Sequence, residues 1–214
     1  MSNLTLMIGN KAYSSWSLRP WLALRHIGVP FAEILVPLRQ PGSKARILQH
    51  SPSGRVPALK HGERTVWDSL AICEYLAEVF PDAMLWPDDA YARAVARSVS
   101  AEMHSGFVDL RTNMPMDLKE RHPGAGRTEG CLADIARIAE IWRDARARFG
   151  QEGPYLFGRF SIADCMYAPV VTRFETYGVD LDPVCRAYAD AVLALPSLRD
   201  WTDAARAEPW TLEP

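Results

Sequence analysis

No run of about 18 consecutive apolar residues occurs in this 214-residue sequence, and no basic stretch followed by an apolar one stands at its start. Neither a membrane span nor a secretory signal is therefore predicted, so we expect a cytoplasmic protein with no membrane partner. Neither sign of charge dominates, because 24 lysines and arginines face 26 acidic residues. A formal net charge of −2 argues against nucleic acid as the main partner.

Cysteine is scarce and widely spaced, with single residues at Cys73, Cys131, Cys165 and Cys185. No Cys-x-x-Cys pair is present, which argues against dithiol redox chemistry because that chemistry needs two sulfurs within one turn. No histidine pair accompanies the cysteines at ligand spacing, so no metal site is predicted. We expect four free thiols located in helices.

The pattern that the sequence does contain changes near residue 81. Residues 1–80 alternate short strand-like runs with helical ones and carry a net charge of +4, whereas residues 81–214 carry −6 and show only helical windows. The first pattern is typical of a sheet covered by helices, and the second of a helical bundle. We predict an α/β domain over residues 1–81 and an all-α domain over residues 87–214.

Apolar runs and turn residues locate the elements of the first domain. Ser17 is the predicted cap of a first helix that ends at Gly28, and Ser69 precedes a second helix that ends at Pro81. Residues 40–54 have no periodic pattern and are predicted to be irregular. Strands are predicted at residues 4–8, 31–36, 58–60 and 65–67, the last two joined as a hairpin.

The second domain contains five helical windows. Ser161 and Asp164 have the spacing of a capping box, in which each residue satisfies a hydrogen-bonding group at the helix start. The windows are a long helix over about 88–112, an apolar stripe over 132–149, and helices that begin near Ser161, Asp182-Pro183 and Ser197.

Three serines, Ser14, Ser15 and Ser17, follow the first predicted strand. Hydroxyls and backbone N–H groups at the start of a helix favour an anionic ligand group. A serine in this position also serves as a simple helix cap, so both roles stay open. No histidine or acidic residue lies at triad-like spacing, and a functional hydroxyl here is therefore expected to donate a hydrogen bond.

Two further groups at strand ends suit a peptide-like ligand. A cis bond at Val56-Pro57 would turn the N–H and C=O of Val56 outward, and such an edge binds extended peptides; a trans proline starting an edge strand is the alternative. Ser69 and the N–H groups that follow it can hold a carboxylate, while Asp68 can accept from an ammonium. An Asp-Ser helix cap is the alternative there.

Taken together, these motifs resemble those of the cytosolic glutathione transferases over essentially the whole chain. The serine run is most similar to that of zeta-class and theta-like bacterial members. The resemblance implies a thioredoxin-like first domain in which Pro57 is cis, an all-helical second domain, and a homodimer. The motifs that carry it are Ser14-Ser15-x-Ser17-x-Arg19, Arg55-Val56-Pro57-Ala58-Leu59, Asp68-Ser69-Leu70-Ala71-Ile72, Glu74-Tyr75-Leu76, and Ser161-Ile162-Ala163-Asp164 with Pro169.

The resemblance also implies roles for the residues of the glutathione site. Ser14, with Ser15 close behind, is expected to donate a hydrogen bond to the glutathione sulfur. Val56, before Pro57, is expected to pair its main chain with the cysteinyl unit. The γ-glutamyl ammonium and carboxylate are expected to bind Asp68 and Ser69.

An electrophile site is expected next to the serine run. Trp16 is one candidate, and Met103, Phe107 and Arg111 lie at i, i+4 and i+8 of the predicted long helix, where they would share a face. An ordinary core stripe is the alternative for the last three.

The function implied is that of a glutathione S-transferase, whose serine hydroxyl stabilises the glutathione thiolate for attack on a small hydrophobic electrophile, as in detoxification. Glutathione is then a cosubstrate and no metal is required. The alternatives are a glutathione-dependent cis–trans isomerase of the maleylacetoacetate type, a peroxidase, or a non-catalytic glutathione-binding protein. Zeta isomerases usually carry cysteine and a second arginine where this chain has Trp16 and Trp21, which weighs against the isomerase.

Overall fold

A four-stranded mixed sheet forms the centre of the N-terminal domain in the computed structural model, which describes residues 3–211. The strand order is β2-β1-β3-β4, with β1 parallel to β2 and antiparallel to β3, and β3 antiparallel to β4. This arrangement confirms the predicted thioredoxin-like fold. The strands are β1 (Leu4–Ile8), β2 (Ala32–Leu35), β3 (Ala58–His61) and β4 (Arg64–Trp67).

From residue 3 onward, three helices belong to this domain, and two of them differ from the prediction. Helix α1 (Ser15–Ile27) begins two residues before the predicted cap, because the Ser17 hydroxyl does not cap it and accepts instead from the Gly9 N–H at 3.1 Å. Helix α2 (Ser43–Leu48) lies in the segment predicted to be irregular; its six residues are too few to show a periodic pattern. Helix α3 (Ser69–Val79) begins as predicted.

Up to residue 211, the secondary structure of the C-terminal domain is helical apart from two isolated β-bridges among residues 155–159. No helix among the described residues is long and apolar enough to cross a bilayer. All four cysteines are free, buried and helical, as predicted. The helices are α4 (Ala90–Ser105), α5 (Val108–Asn113), α6 (Glu129–Phe149), α7 (Ile162–Tyr177), α8 (Pro183–Leu193) and α9 (Pro196–Ala207).

The prediction of a single long helix over residues 88–112 is wrong, because the helix is interrupted between α4 and α5. Phe107 has a φ of +54°, and a Cβ at Gly106 would lie 2.8 Å from the carbonyl oxygen of Glu102. The break removes the shared face expected for Met103, Phe107 and Arg111. Met103 is fully buried and Phe107 is 7% exposed, and both belong to the core.

Helix α7 is the central element of the core, since every residue in it except Glu175 is buried. A helix that is buried on nearly all sides is surrounded by other elements. Helix α1 of the first domain packs against α7, and α4 packs against it from the second domain. Residues 81–87, predicted as the domain boundary, connect α3 to α4 and include a short 3-10 turn, Pro81–Ala83.

The capping box predicted at the start of α7 is confirmed. The carboxylate of Asp164 accepts from the N–H groups of Ser161 at 2.8 Å and Leu156 at 3.1 Å. Burial raises the pKa of Asp164 to about 6, because the loss of hydration outweighs these hydrogen bonds. The group is therefore ionised at neutral pH and supplies a charged acceptor inside the core.

We expect Asp164→Ala to lower the free energy of unfolding by about 3 kcal/mol, because two buried N–H groups lose their acceptor. Asp182→Ala is the matched control, since Asp182 is the N-cap of α8 and accepts from two backbone N–H groups, those of Val184 and Cys185, at a half-exposed site; its loss should cost only about 1 kcal/mol. Urea denaturation of both variants measures the difference. Equal losses would contradict the role assigned to burial.

Candidate functional site

Two cavities share Trp16 as a lining residue, where the end of the sheet faces α4 and α5. The first cavity has a volume of about 570 Å³ and the second about 370 Å³, and the half-buried Trp16 lines both. The first is lined by Trp16, Ser53, Arg55, Val56, Pro57, Trp67, Asp68, Ser69 and His104. The second is lined by Tyr13, Ser15, Trp16, Val108, Arg111, Thr112, Pro115, Met116 and Arg173.

The first cavity presents an unpaired stretch of main chain. The Val56-Pro57 peptide bond is cis, as the resemblance implied. Within residues 3–211, neither the N–H nor the C=O of Val56 has a hydrogen-bond partner. By contrast, β3, which begins two residues later, is paired with both β1 and β4. Unpaired backbone groups beside a cavity are a site for an extended peptide-like ligand.

Ser69 contributes an unsatisfied hydroxyl to the same cavity. The residue is 1% exposed, and its Oγ has no hydrogen-bond partner among the described residues. A buried hydroxyl without a partner costs about 1–3 kcal/mol, which a bound acceptor recovers. Because Ser69 also begins α3, the positive end of the helix dipole adds to the preference for a carboxylate.

Asp68 is held in an unfavourable backbone conformation at the edge of the first cavity, with a φ of +76°. One carboxylate oxygen accepts from the Leu70 N–H at 2.9 Å, so the cap alternative is confirmed. The other oxygen lies 3.2 Å from Nε2 of His104. The side chain is still 46% exposed, which leaves the carboxylate accessible to an ammonium group.

His104 reaches this site from α4, and the sequence contained no signal for it. Its ring packs edge-on against Trp16, with centroids 5.2 Å apart. Burial lowers the pKa of His104, and the negative charge of Asp68, 3.2 Å from Nε2, acts in the opposite direction. Only the approach of α4 to the sheet brings this histidine to the cavity.

The serine turn, which we define as residues 9–15, contains two serine hydroxyls. Ser14 is 4% exposed and its Oγ lies 2.7 Å from Oγ of Ser17, which already accepts from Gly9. If Ser17 donates to Ser14, the hydrogen of Ser14 is free for a further acceptor. Ser15 lines the second cavity and accepts from Nη2 of Arg173 at 3.2 Å, so its own hydrogen is also free.

Three arginines surround the serine turn and Trp16. The guanidinium of Arg19 lies 4.2 Å from the Trp16 ring centroid and that of Arg111 lies 5.4 Å from it. Arg173 is anchored by the carbonyls of Met114 at 2.9 Å and Pro169 at 3.2 Å. Together the three cations create a positive field around the serine turn and Trp16, which lines both cavities.

Burial is the main reason why the pKa values of these arginines are low. It lowers the pKa of Arg19 to about 9, with repulsion from Arg173 as the second cause. It lowers the pKa of Arg173 to about 10, again with repulsion from a neighbouring arginine, Arg111. Both groups stay charged at pH 7. Two nitrogens of Arg19 have no hydrogen-bond partner within residues 3–211, so its charge is only partly compensated.

The predicted site residues therefore separate into two groups. Ser15, Trp16 and Arg111 line the second cavity. Ser14, Met103 and Phe107 line neither cavity; Ser14 is buried beside Ser17, and the other two pack in the core. Arg173 had no signal in the sequence. The second cavity is less apolar than expected, because two arginines and no acidic residue are found among the described residues that line it.

Trp21, the second departure from the zeta pattern, lies outside both cavities. It is 3% exposed, donates to Glu33 at 2.6 Å and packs against Trp201 with ring centroids 5.0 Å apart. Position 21 thus belongs to the core and does not shape the site. Across residues 3–211, no group of three or more histidine, cysteine or acidic side chains is arranged to hold a metal ion.

Comparison with known proteins agrees with this geometry. Maleylpyruvate isomerase from Ralstonia sp is 28% identical over 207 residues, which cover 92% of this chain and 98% of that protein. Maleylacetoacetate isomerase from Pseudomonas aeruginosa is 30% identical over 204 residues, which cover 88% and 91%.

Solved structures are similar over nearly the whole chain. A glutathione transferase homologue from Burkholderia with bound glutathione is 27% identical, with a TM-score of 0.72 and coverage of 96% of this chain and 100% of that one. A holo structure of maleylpyruvate isomerase, described as a bacterial glutathione S-transferase of the zeta class, is 26% identical with a TM-score of 0.73, covering 96% and 98%.

Two family profiles match in succession. The glutathione S-transferase N-terminal domain matches residues 13–79, and the glutathione S-transferase C-terminal domain matches residues 88–204. Together the two matches include well over half of the chain. The chain therefore belongs to the glutathione S-transferase family, and it is a glutathione-dependent enzyme of that family.

Proposed function

We propose that this transferase binds glutathione in the first cavity, ionises its thiol beside the serine turn, and directs the thiolate at a small anionic electrophile in the second cavity. The observation that carries this proposal is that Trp16 lines both cavities. One cavity offers unpaired groups suited to a peptide, and the other offers two cations.

The groups that line the first cavity match the chemistry of each unit of glutathione. The unpaired main chain of Val56 suits the cysteinyl unit, and the Ser69 hydroxyl with the α3 N-terminus suits the γ-glutamyl carboxylate. The exposed carboxylate of Asp68 suits the γ-glutamyl ammonium. Arg55 lines the same cavity and offers a cation to the glycyl carboxylate.

Formation of the thiolate is the step that the serine turn promotes. A free thiol is only a few per cent ionised at pH 7, and each tenfold gain in the thiolate-to-thiol ratio requires about 1.4 kcal/mol. A hydrogen bond from Ser14, the positive end of α1 and the field of the three arginines all favour the charged form. In this proposal Ser14 stays protonated and Ser15 is the neighbouring alternative donor.

The reaction that follows is a displacement. The thiolate sulfur forms a bond to the electrophilic carbon, the bond to the leaving group breaks, and the leaving group departs with the electron pair. Holding both reactants next to each other removes much of the entropic cost of this step. Arg111 and Arg173 face the second cavity, so a carboxylate on the electrophile gains two partners while its reactive carbon points toward Trp16 and the sulfur.

A glutathione-dependent cis–trans isomerase is the second candidate. The observation in its favour is the arginine pair, because the maleyl group named in two relatives carries a carboxylate next to a double bond. In that reaction the thiolate adds to the double bond, the new single bond rotates, and the thiolate leaves unchanged. Trp16 in place of cysteine distinguishes this chain from the pattern of zeta isomerases.

Further features of the protein are proposed on the family resemblance alone. They are a homodimer, a cytoplasmic location, a role in detoxification, and domain limits of 1–81 and 87–214. Light scattering on the purified protein measures the oligomeric state directly.

For Ser14→Ala we expect at least a tenfold fall in turnover, equivalent to about 1.4 kcal/mol, with glutathione affinity within a fewfold of wild type. Because the thiolate is the reactive form, loss of its hydrogen-bond donor raises the pKa of the bound thiol. The rise with pH of kcat/KM for the electrophile, measured at saturating glutathione, then moves to higher pH. Ultraviolet titration of the bound thiolate measures this shift.

Ser15→Ala is the matched control for this experiment, with the neighbouring hydroxyl removed. A rise in the pKa of the bound thiol in Ser15→Ala, with no rise in Ser14→Ala, would assign the donor role to Ser15. A wild-type thiol pKa as high as that of free glutathione would instead favour a non-catalytic glutathione-binding protein.

For Arg111→Gln we expect KM for an anionic electrophile, chloronitrobenzoate, to rise about tenfold because a charge-assisted partner is lost. KM for neutral chlorodinitrobenzene should stay within twofold. Arg111→Lys keeps the charge, and its KM for chloronitrobenzoate should lie between those of wild type and Arg111→Gln. Arg143→Gln is the control, since Arg143 is exposed, pairs with Asp182 and lines neither cavity.

Equal changes in KM for the two electrophiles in Arg111→Gln would contradict the proposal that the substrate is anionic. Assays of wild type with maleylacetone and with a hydroperoxide separate the other activities, because only the isomerase converts maleylacetone and leaves glutathione unconsumed.

A further inference from the structure

The serine turn is held in place by a segment nearly two hundred residues away in sequence. Glu208, which follows α9, is 9% exposed and directs its carboxylate at the backbone of the turn. One oxygen accepts from the Lys11 N–H at 2.7 Å and the other from the Ala12 N–H at 3.3 Å. A carboxylate that accepts from two backbone N–H groups fixes both the position and the direction of that backbone.

The carbonyl groups of the same two residues are bound by other parts of the second domain. The indole N–H of Trp201 donates to the Lys11 carbonyl at 2.9 Å, and the N–H of Leu118 donates to the Ala12 carbonyl at 3.2 Å. Within the turn, the Ser14 N–H donates to the carbonyl of Asn10 at 2.8 Å. Every backbone polar group of residues 11 and 12 is thus paired outside the turn.

Glu208 is itself fixed by a neighbouring lysine. The ammonium of Lys119 donates to the backbone carbonyl of Glu208 and to that of Trp210, the latter at 3.1 Å. Lys11 forms its ion pair with Glu33 at 2.8 Å, so the backbone N–H groups are the partners shown for the Glu208 carboxylate. The segment after α9 therefore acts as a clamp whose functional end is this carboxylate.

We infer that Glu208 is a positioning residue for the reaction, holding the serine turn so that its hydroxyl meets the glutathione sulfur. The inference rests on the proposed function. Displacement of a catalytic group by about 1 Å can cost about 10²-fold in rate, so a turn released from its clamp loses rate before the fold is lost. Val56, Asp68 and Ser69 lie on other elements and keep their geometry, which separates turnover from glutathione binding.

The test compares Glu208→Ala and Glu208→Gln with wild type. In Glu208→Ala we expect kcat to fall about tenfold and the pKa of the bound glutathione thiol to rise, with KM for glutathione within twofold. Glu208→Gln keeps one acceptor oxygen and should show a smaller effect of the same kind. Should Glu208→Ala not fold, Glu208→Gln carries the test alone.

Asp200→Ala is the matched control, since Asp200 lies on α9 and pairs with the exposed Arg25 at 2.7 Å. It should leave kcat and the thiol pKa unchanged. A Glu208→Ala enzyme with a lower melting temperature but unchanged kcat and thiol pKa overturns the inference, because loss of a purely structural contact changes only the melting temperature.

Amide hydrogen exchange distinguishes a failure of this inference from a failure of the proposed function. Faster exchange at Lys11 and Ala12 in Glu208→Ala supports the clamp even if wild type does not acidify glutathione, in which case only the proposed function fails. Unchanged exchange at both amides shows that the carboxylate does not hold the turn and overturns the clamp.

Discussion

The packing of α1 against the buried helix α7 is the contact on which the candidate site depends. Helix α1 begins at the serine turn, and α7 carries Arg173, so their contact brings a guanidinium within 3.2 Å of the Ser15 hydroxyl. Because α7 is buried on nearly all sides, its position is fixed by the core of the second domain and by the capping box at Asp164. The chemistry at the sheet edge is therefore linked to the stability of a helix in the other domain.

Burial of positive charge is the second constraint. Desolvation of a guanidinium is expensive, and the lowered pKa values of Arg19 and Arg173 show that this cost is only partly offset. Stacking on Trp16 and carbonyl acceptors offset part of it, yet two nitrogens of Arg19 have no partner in residues 3–211. A negatively charged ligand lowers the free energy of such a site more than a neutral one does. The preferences that we propose, for thiolate over thiol and for an anionic electrophile, rest on the same uncompensated field.

Local patterns predicted most of the elements because their signals are local. Short apolar runs bounded by turn residues identified the strands, and the Ser161–Asp164 spacing identified a capping box. Helix α2 was missed because six residues are too short for periodicity, and the break at Gly106 was missed because apolar spacing continues across it. In the site, Val56, Asp68 and Ser69 come together in one cavity because each lies just before, just after or at the start of an element of a single small domain. His104, Arg173 and Glu208 belong to other helices or follow them, and nothing in their own sequence neighbourhood distinguishes them from surface or core residues.

The amino-acid sequence by itself determined the fold class, the family resemblance and the residues expected to contact glutathione, because these depend on short motifs and on periodicity. Tertiary structure alone decided that Met103 and Phe107 belong to the core, that Arg19 and Arg111 lie over Trp16 while Arg173 reaches Ser15, and that the chain after α9 bonds to the serine turn. The physical reason is that hydrogen bonds and charge interactions act over a few ångströms in space. Residues 173 and 208 lie within that range of the serine turn only after two domains have packed together.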